Sequence, residues 1–387
     1  MPTPKRRLFA AIFGLAVLFA LFLPRLLPRP MPHYTVTDLG ILPGATVSRA
    51  SAINNWGEII GLSGANRMEM DRRHAFLYQD GAMRDLGDFN LINDREGPAI
   101  NDSSQIAGAM TVTPAPRLRI HACLNIGGQK RDLGTLPGCV FSVGNGINSQ
   151  GQVVGEAMSL AHAGGMTDHA FFYSGGRTTD IGTPPGYTDM VLDGINTSGL
   201  AIGYCHRPTG VNWWGINQAV SYDTRTRRVT VLTVPPGSSG SLALAINGKN
   251  QIAGSEVQSG QLEQAVLWEA GRMTRLGTPS GTDSSRAEAL NDQEAVVGSA
   301  HIEVGMLSQF VLSAASYVPP LVSLTQQPCT EHAFIYQGGE MQDLNMLLPA
   351  DADWTLEQAN GINDKGQIVG YGLHHGQERA FLLTPIR

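Results

Sequence analysis

The residues best suited to acid–base or metal chemistry in this 387-residue chain are histidines and aspartates that recur in matching contexts. The histidines are His74, His121, His169 and His332, and the aspartates are Asp38, Asp85, Asp132, Asp180 and Asp343. Residues at one position of a cyclic repeat belong to different units, so they cannot converge on one metal ion or one substrate atom. We therefore predict a structural role, in which each imidazole bonds to a neighbouring backbone or to the repeated aspartate.

Charged residues that differ between the repeats are stronger candidates for function. They lead into a repeated Ile-Asn pair, and they are Arg49, Glu96, Asp193, Arg286, Glu288 and Glu357. If these segments line a channel, Arg49, Arg286 and Glu357 could bind a polar ligand. Glu96, Asp193 and Glu288 could instead supply a catalytic acid pair for glycoside cleavage, which needs two carboxylates about 5 to 10 Å apart. We favour solvated charge at a channel mouth over the acid pair.

Aromatic residues in the most variable segments are a second group of binding candidates. Trp213, Trp214 and Tyr317 could stack on a sugar or a peptide. Each of them could instead cover the end of a sheet, and we favour this interpretation for any single one of these residues.

Several kinds of chemistry lack sequence support. The chain contains no Gly-x-Ser-x-Gly elbow, phosphate loop or dinucleotide fingerprint. Cys123, Cys139, Cys205 and Cys329 match no metal-ligand pattern, and their pairing stays open. We therefore expect no metal or cofactor. Five of the 27 basic residues lie in residues 1–33, which leaves 22 against 33 acidic residues and a net charge of −11 beyond them. Such a surface argues against nucleic acid as a partner.

The N-terminal segment has the pattern of a membrane-targeting element. Lys5-Arg6-Arg7 precedes an uncharged apolar run from Leu8 to Leu23. The run is longer than most cleaved signals and shorter than a full span of about 17 to 25 residues, and no small-residue cleavage site follows it. We favour a single-pass signal anchor over a cleaved signal peptide. With either outcome the remaining chain lies outside the cytosol, in the periplasm or at the cell surface.

An apolar residue followed by Asn recurs seven times, and this repeat organises residues 34–387. The asparagines are Asn54, Asn101, Asn148, Asn196, Asn247, Asn291 and Asn363. Successive spacings are 47, 47, 48, 51, 44 and 72 residues, and the long gap indicates an insertion at residues 300–331. Each unit contains four short apolar runs separated by Gly-, Asn- or Asp-containing turns, which is typical of antiparallel strands. Four strands repeated every 44 to 51 residues predict a β-propeller with seven four-stranded blades.

The two ends of this region complement each other. Residues 34–40 resemble the last strand of a unit, and the chain stops after Arg379-Ala380-Phe381-Leu382-Leu383, which resembles the strand before it. We therefore predict that the N-terminal strand completes the final blade and closes the ring, which leaves no open sheet edge there.

The His-Ala-Phe, Ile-Asn and Asp-Leu-Gly segments together resemble the HAF repeat family, a probable family of extracellular repeat proteins. The resemblance covers residues 34–387 and weakens where Gln218-Ala219-Val220, Gln264-Ala265-Val266 and Arg379-Ala380-Phe381 replace His-Ala-Phe. It implies an exported repeat protein and leaves activity open.

These observations favour a non-enzymatic binding module for a protein or a glycan, anchored in the membrane through residues 8–23. The variable linkers between second and third strands would gather on one face of the ring and form the binding surface. A polysaccharide hydrolase or lyase and a purely structural cell-surface protein are the alternatives.

Overall fold

The computed structural model describes residues 33–65, 74–89, 97–114, 118–160, 166–207, 216–258, 262–301 and 331–386. These ranges contain 28 β-strands and one short 3₁₀ turn, Leu344–Leu347. Within them, no helix has the length and apolar character needed to cross a membrane. The predicted membrane segment at residues 8–23 lies outside the described residues, as does most of the insertion at residues 300–331.

Five of the sheets are four-stranded and antiparallel. The first contains β2 (Val47–Ile53), β3 (Ile59–Gly64), β4 (His74–Gln79) and β5 (Ala82–Asp88). Unit four contributes β14 (Asp189–Ile195), β15 (Leu200–Arg207), β16 (Ile216–Asp223) and β17 (Arg228–Val231). Unit five contributes β18 (Ser238–Ile246), β19 (Ile252–Gln258), β20 (Glu263–Glu269) and β21 (Arg272–Gly277). Unit six contributes β22 (Ser284–Leu290), β23 (Val296–His301), β24 (Glu331–Gln337) and β25 (Glu340–Asp343). The fifth sheet joins β1 (Tyr34–Asp38) to β26 (Trp354–Ile362), β27 (Ile368–His374) and β28 (Gln377–Pro385).

The second and third units form a single eight-stranded sheet. Its strands are β6 (Ala99–Ile100), β7 (Ile106–Thr113), β8 (Arg119–Ile126), β9 (Gln129–Gly134), β10 (Cys139–Ile147), β11 (Val153–Leu160), β12 (Met166–Ser174) and β13 (Arg177–Asp180). A parallel bridge between Phe141 and Ile120 joins β10 to β8. Strand β6 has only two residues and follows Pro98, which has no N–H to donate to a ladder.

The prediction of seven separate four-stranded blades is therefore wrong. The described residues form five such sheets and one sheet of eight strands. Each unit has the four predicted strands, but the sequence pattern does not show that the first strand of unit two has only two residues, or that the third strand of that unit bridges to the next unit.

The first strand of each unit lines the centre of the molecule. Each one packs against the first strand of the next unit, and β26 packs against β2, so these strands form a closed circle. At the outer end of the final sheet, β1 pairs with β28 from Tyr34 opposite Pro385 to Asp38 opposite Phe381. The predicted closure by the N-terminal strand is thus confirmed.

The hydrophobic core lies between successive sheets. The phenylalanines of the His-Ala-Phe segments, Phe76, Phe171 and Phe334, are fully buried, and so is Phe381 at the corresponding position. A glycine lies within the second strands, opposite the point where the first strand has its bulge, as Gly155 does in β11 and Gly61 in β3. A Cβ atom at Gly155, for example, would lie 1.9 Å from the carbonyl oxygen of Val143. Only glycine fits such a close backbone approach.

Candidate functional site

The repeated asparagines form a closed ring of hydrogen bonds between units. In each case Nδ2 donates to the backbone carbonyl of the asparagine in the next unit, at 2.8–3.1 Å. Asn363 donates to the carbonyl of Asn54, and this hydrogen bond closes the ring. In most units Oδ1 accepts the backbone N–H groups two and four residues further on, as Asn148 does from Gln150 and Gln152. All seven side chains are buried, with exposed fractions of 3–6%. These residues hold the ring together, because their donors and acceptors are engaged within the scaffold.

Three of the four repeated histidines pair with the repeated aspartates, which is one of the two predicted contacts. The Nδ1 atom of His74 lies 2.8 Å from Asp85, that of His121 lies 3.0 Å from Asp132, and that of His332 lies 2.7 Å from Asp343. The hydrogen bond that His332 donates to the Asp343 carboxylate raises the pKa of His332. Burial works against ionisation of Asp343, but hydrogen bonds from His332 and Asn345 outweigh it and lower the pKa of that carboxyl.

His169 departs from this pattern, and another histidine was missed. The Nε2 atom of His169 lies 3.3 Å from the hydroxyl of Ser159. Asp38 is paired instead with His374, at 2.9 Å. The repeat pattern does not predict this pair, because His374 ends the preceding strand and Arg379 occupies the position at which four other units have histidine.

A repeated serine that sequence reasoning missed links successive units. The hydroxyl of Ser142 accepts the N–H of Ala122 and donates to the carbonyl of Gly134, each at 2.8 Å. Ser48, Ser241 and Ser285 accept the corresponding alanine N–H groups. The signal in the sequence is a Ser six residues before the asparagine in four of the units.

The candidate catalytic acids lie on different first strands. Asp193 and Glu288 occupy the extra, bulged position of β14 and β22. Strand β18 packs between those two strands and carries Leu244 at the same position. Asp193 is buried, whereas Glu288 lies 4.0 Å from Arg286. Glu96 lies outside the described residues. The whole of unit five thus separates the two described acids.

The candidate binding arginines form ion pairs between units. Arg49 makes two hydrogen bonds to Glu378, at 2.7 and 3.1 Å, and lies 4.0 Å above the ring of Tyr371. Arg286 makes two hydrogen bonds to Glu263, at 2.9 and 3.0 Å. Bidentate pairs of this kind fix an arginine strongly, so both residues stabilise the wall of the ring.

The remaining predicted binding residues are only partly described. Glu357 is buried in β26. Trp213, Trp214 and Tyr317 lie outside the described residues, as do nearly all the variable linkers of the predicted binding face.

A cleft lies on the opposite face, where the asparagine turns are. It has a volume of about 400 Å³ and lies between the turns of the first and second units. Its lining residues are Trp56, Gly57, Glu58, Gln79, Asp80, Asp102, Ser103 and Ser104. Trp56 is 71% exposed, and its indole Nε1–H donates to the carbonyl of Asp102 at 2.7 Å. The ring is therefore held in place while most of its surface faces solvent.

Glu58 lies in the same cleft and replaces a residue that the repeat usually fills with glutamine. Four units have Gln105, Gln152, Gln251 or Gln367 at this position, four residues after the asparagine. Glu58 is only 7% exposed, and its Oε2 accepts hydrogen bonds from Asn54 Nδ2 and Ser104 Oγ, both at 2.6 Å. Sequence reasoning missed Trp56 and Glu58, although comparing the residues two and four positions after each asparagine would have found both.

The three described cysteines, Cys123, Cys139 and Cys205, are free and buried. Burial raises the pKa of Cys123 and of Cys205 to about 12. Cys329 lies outside the described residues. In the part of the chain that the structure describes, no three His, Cys, Asp or Glu side chains are grouped as a metal site would require.

Comparison with solved structures identifies the class of fold as a β-propeller. The chain is similar to the β-propeller domain of the Trilobed protease from Pyrococcus furiosus, with a TM-score of 0.51, 10% identity, and coverage of 78% of this chain and 83% of that one. It is also similar to a prolyl endopeptidase, with a TM-score of 0.52 and 10% identity over 92% of this chain and 51% of the other. TolB from Acinetobacter baumannii aligns with a TM-score of 0.44 and 14% identity over 89% of this chain and 65% of the other.

At these identities the likeness extends to the fold alone. The chain spans about half the length of the prolyl endopeptidase. No protein-family model matches it, and neither does any curated protein.

Proposed function

We propose that the protein is a binding module of the β-propeller class that recognises a protein or a glycan without transforming it. The observation that carries this proposal is the exposed indole of Trp56, fixed by a hydrogen bond over a polar cleft. Aromatic side chains with one apolar surface and one tethered polar group are typical of binding sites. The closed ring of asparagine hydrogen bonds supports the proposal, since it gives such a site a rigid base.

We further propose that the module lies outside the cytosol and is anchored in the membrane through residues 8–23. The basic residues before this apolar run and the resemblance to HAF repeat proteins support that location. Alkaline phosphatase, which becomes active only after export, can be fused after residue 387 to test it. Activity in intact cells is the expected result, and an inactive fusion that is made in full would contradict it.

The binding function is tested by applying the full chain to glycan arrays and peptide arrays. We expect retention of at least one class of ligand without product release, and weaker retention by Trp56→Ser. Serine is a suitable replacement because Ser103 and Ser198 occupy the same position in other units. Product release from a polysaccharide, lost in Asp193→Asn or Glu288→Gln, would instead establish the hydrolase or lyase. Absence of binding on both arrays would favour a purely structural protein.

A further inference from the structure

The charge of the Trp56 cleft is one-sided. Its eight lining residues include three carboxylates, Glu58, Asp80 and Asp102, and no basic residue. Three described carboxylates elsewhere, Glu256, Glu263 and Glu378, each form a bidentate pair with an arginine. Among the described residues, no Lys, Arg or His forms an ion pair with any of the three cleft carboxylates. The cleft therefore attracts a cation.

The charge on Glu58 is not needed for its structural role. In four other units a neutral glutamine Oε1 accepts the same hydrogen bond from the asparagine Nδ2, at 2.7–2.9 Å, and these glutamines are Gln105, Gln152, Gln251 and Gln367. Placing a carboxylate where water is largely excluded costs free energy unless an opposite charge or sufficient hydrogen bonds compensate it. Both hydrogen bonds of Glu58 end on Oε2, and Oε1 accepts none from the described residues. One oxygen thus remains for a ligand that donates.

The aromatic residue in the cleft suits the same ligand. Trp56 is the one tryptophan among the residues two positions after the repeated asparagines, which otherwise are Ser103, Gln150, Ser198, Lys249, Gln293 and Lys365. The face of an indole attracts a cation more strongly than the other aromatic rings do. Because Nε1 is bonded to the carbonyl of Asp102, the ring stays beside the carboxylates of the cleft.

From these observations we propose that the cleft binds the cationic side chain of a lysine or an arginine presented by a peptide or protein partner. The ammonium or guanidinium group would contact the face of Trp56 and donate to Glu58, and its alkyl stem would pack on the indole. This proposal rests on the proposed binding function and gives the chemical class of its ligand. A volume of about 400 Å³ accommodates one long side chain with its flanking backbone.

The test compares two probes that differ only in the terminal ammonium group of the side chain. N-acetyl-lysine amide and N-acetyl-norleucine amide are titrated into the full chain, and the indole N–H signal of Trp56, assigned from its absence in Trp56→Ser, is followed by NMR. We expect the lysine probe to shift this signal and the norleucine probe to bind at least fivefold more weakly. Higher ionic strength should weaken the lysine probe further, because two of the carboxylates are exposed.

Three variants separate the contributions of charge, aromatic surface and general turn structure. Glu58→Gln should weaken the lysine probe about tenfold, as expected for loss of a charged hydrogen-bond acceptor. Trp56→Ser should weaken it about two- to fivefold, as expected for an exposed cation–π contact. Gln150→Ser alters the equivalent position of the third unit and should leave binding unchanged. All three residues are replaced by ones that the repeat already uses there, so the melting temperature should stay the same.

Equal binding of both probes, or unchanged binding in Glu58→Gln, would overturn the proposal. The absence of any shift with the lysine probe at about 50 mM would also overturn it, because a site with a dissociation constant of about 1 mM would be nearly saturated at that concentration. If the arrays reveal a neutral glycan whose binding needs Trp56, the binding function survives and the cationic ligand is refuted. If the lysine probe binds but neither array retains a ligand, the cleft binds a cationic side chain, but the proposed peptide or protein partner is refuted.

Discussion

Removing one asparagine side chain from the ring should destabilise the whole protein. Asn247→Ala is the most informative change because its contacts are deeply buried. Nδ2 donates to the carbonyl of Asn291 at 3.0 Å and to Oε1 of Gln251 at 2.7 Å. Oδ1 accepts the N–H groups of Lys249 and Gln251 at 3.0 and 2.9 Å. Alanine removes all four hydrogen bonds and leaves their partners in place.

The expected loss follows from the number and burial of these partners. A typical intramolecular hydrogen bond contributes about 0.5–1.5 kcal/mol net, and a buried group left without a partner costs about 1–3 kcal/mol. Gln251 is only 3% exposed, so water cannot easily replace the lost contacts. We therefore expect the free energy of unfolding to fall by about 3–4 kcal/mol.

Equilibrium unfolding in urea, followed by circular dichroism, measures this loss. The matched control is Lys249→Ala in the same turn, which removes only an ion pair with Glu294 between side chains that are 52% and 55% exposed. Exposed pairs contribute about 0–1 kcal/mol, so this control should unfold close to the unaltered protein. If Asn247→Ala lies within about 0.5 kcal/mol of the control, the ring does not stabilise the fold as argued.

Three further perturbations test other parts of the structure. Deleting residues 34–40 removes the partner of β28 and should lower the melting temperature by more than about 5 °C, whereas a truncated chain that melts like the full chain would refute closure by β1. Gly155→Ala should destabilise the fold by more than about 3 kcal/mol in urea unfolding, because the new Cβ would lie 1.9 Å from the carbonyl oxygen of Val143; an expressed variant of unchanged stability would contradict the bulge geometry. The pKa of His332 is raised and that of Asp343 is lowered, so the pair stabilises the fold most between about pH 4 and 6.5. This stabilisation is lost as the pH rises through the pKa of His332 and as it falls through the pKa of Asp343. His332→Asn should therefore cost more stability at pH 5.5 than at pH 8.5, and an equal cost at both would show that the pair is not ionic.

Local signals in the sequence were sufficient for much of the fold. Turn residues and short apolar runs located the strands, and the spacing of the asparagines defined the units. The pairing of His74 with Asp85 was one of two contacts predicted from their repeated positions, and both residues lie within one hairpin. The complementary chain ends predicted the pairing of β1 with β28. These features depend on strand propensity and on contacts within or at the ends of repeated units, and the residue pattern predicts both.

Contacts between units were decided only by the tertiary structure. The sequence determined that Arg49 is charged, but not that Glu378, 329 residues away, neutralises it. It placed Trp56 and Asp102 in separate turns, and only the packing of those turns made them one cleft. The bridge from β10 to β8 changed the number of sheets without changing any strand pattern. The physical reason is that the residue pattern of a segment determines its strand locally. The partner of a side chain depends instead on how neighbouring sheets pack against each other, and close packing of the whole core determines that arrangement.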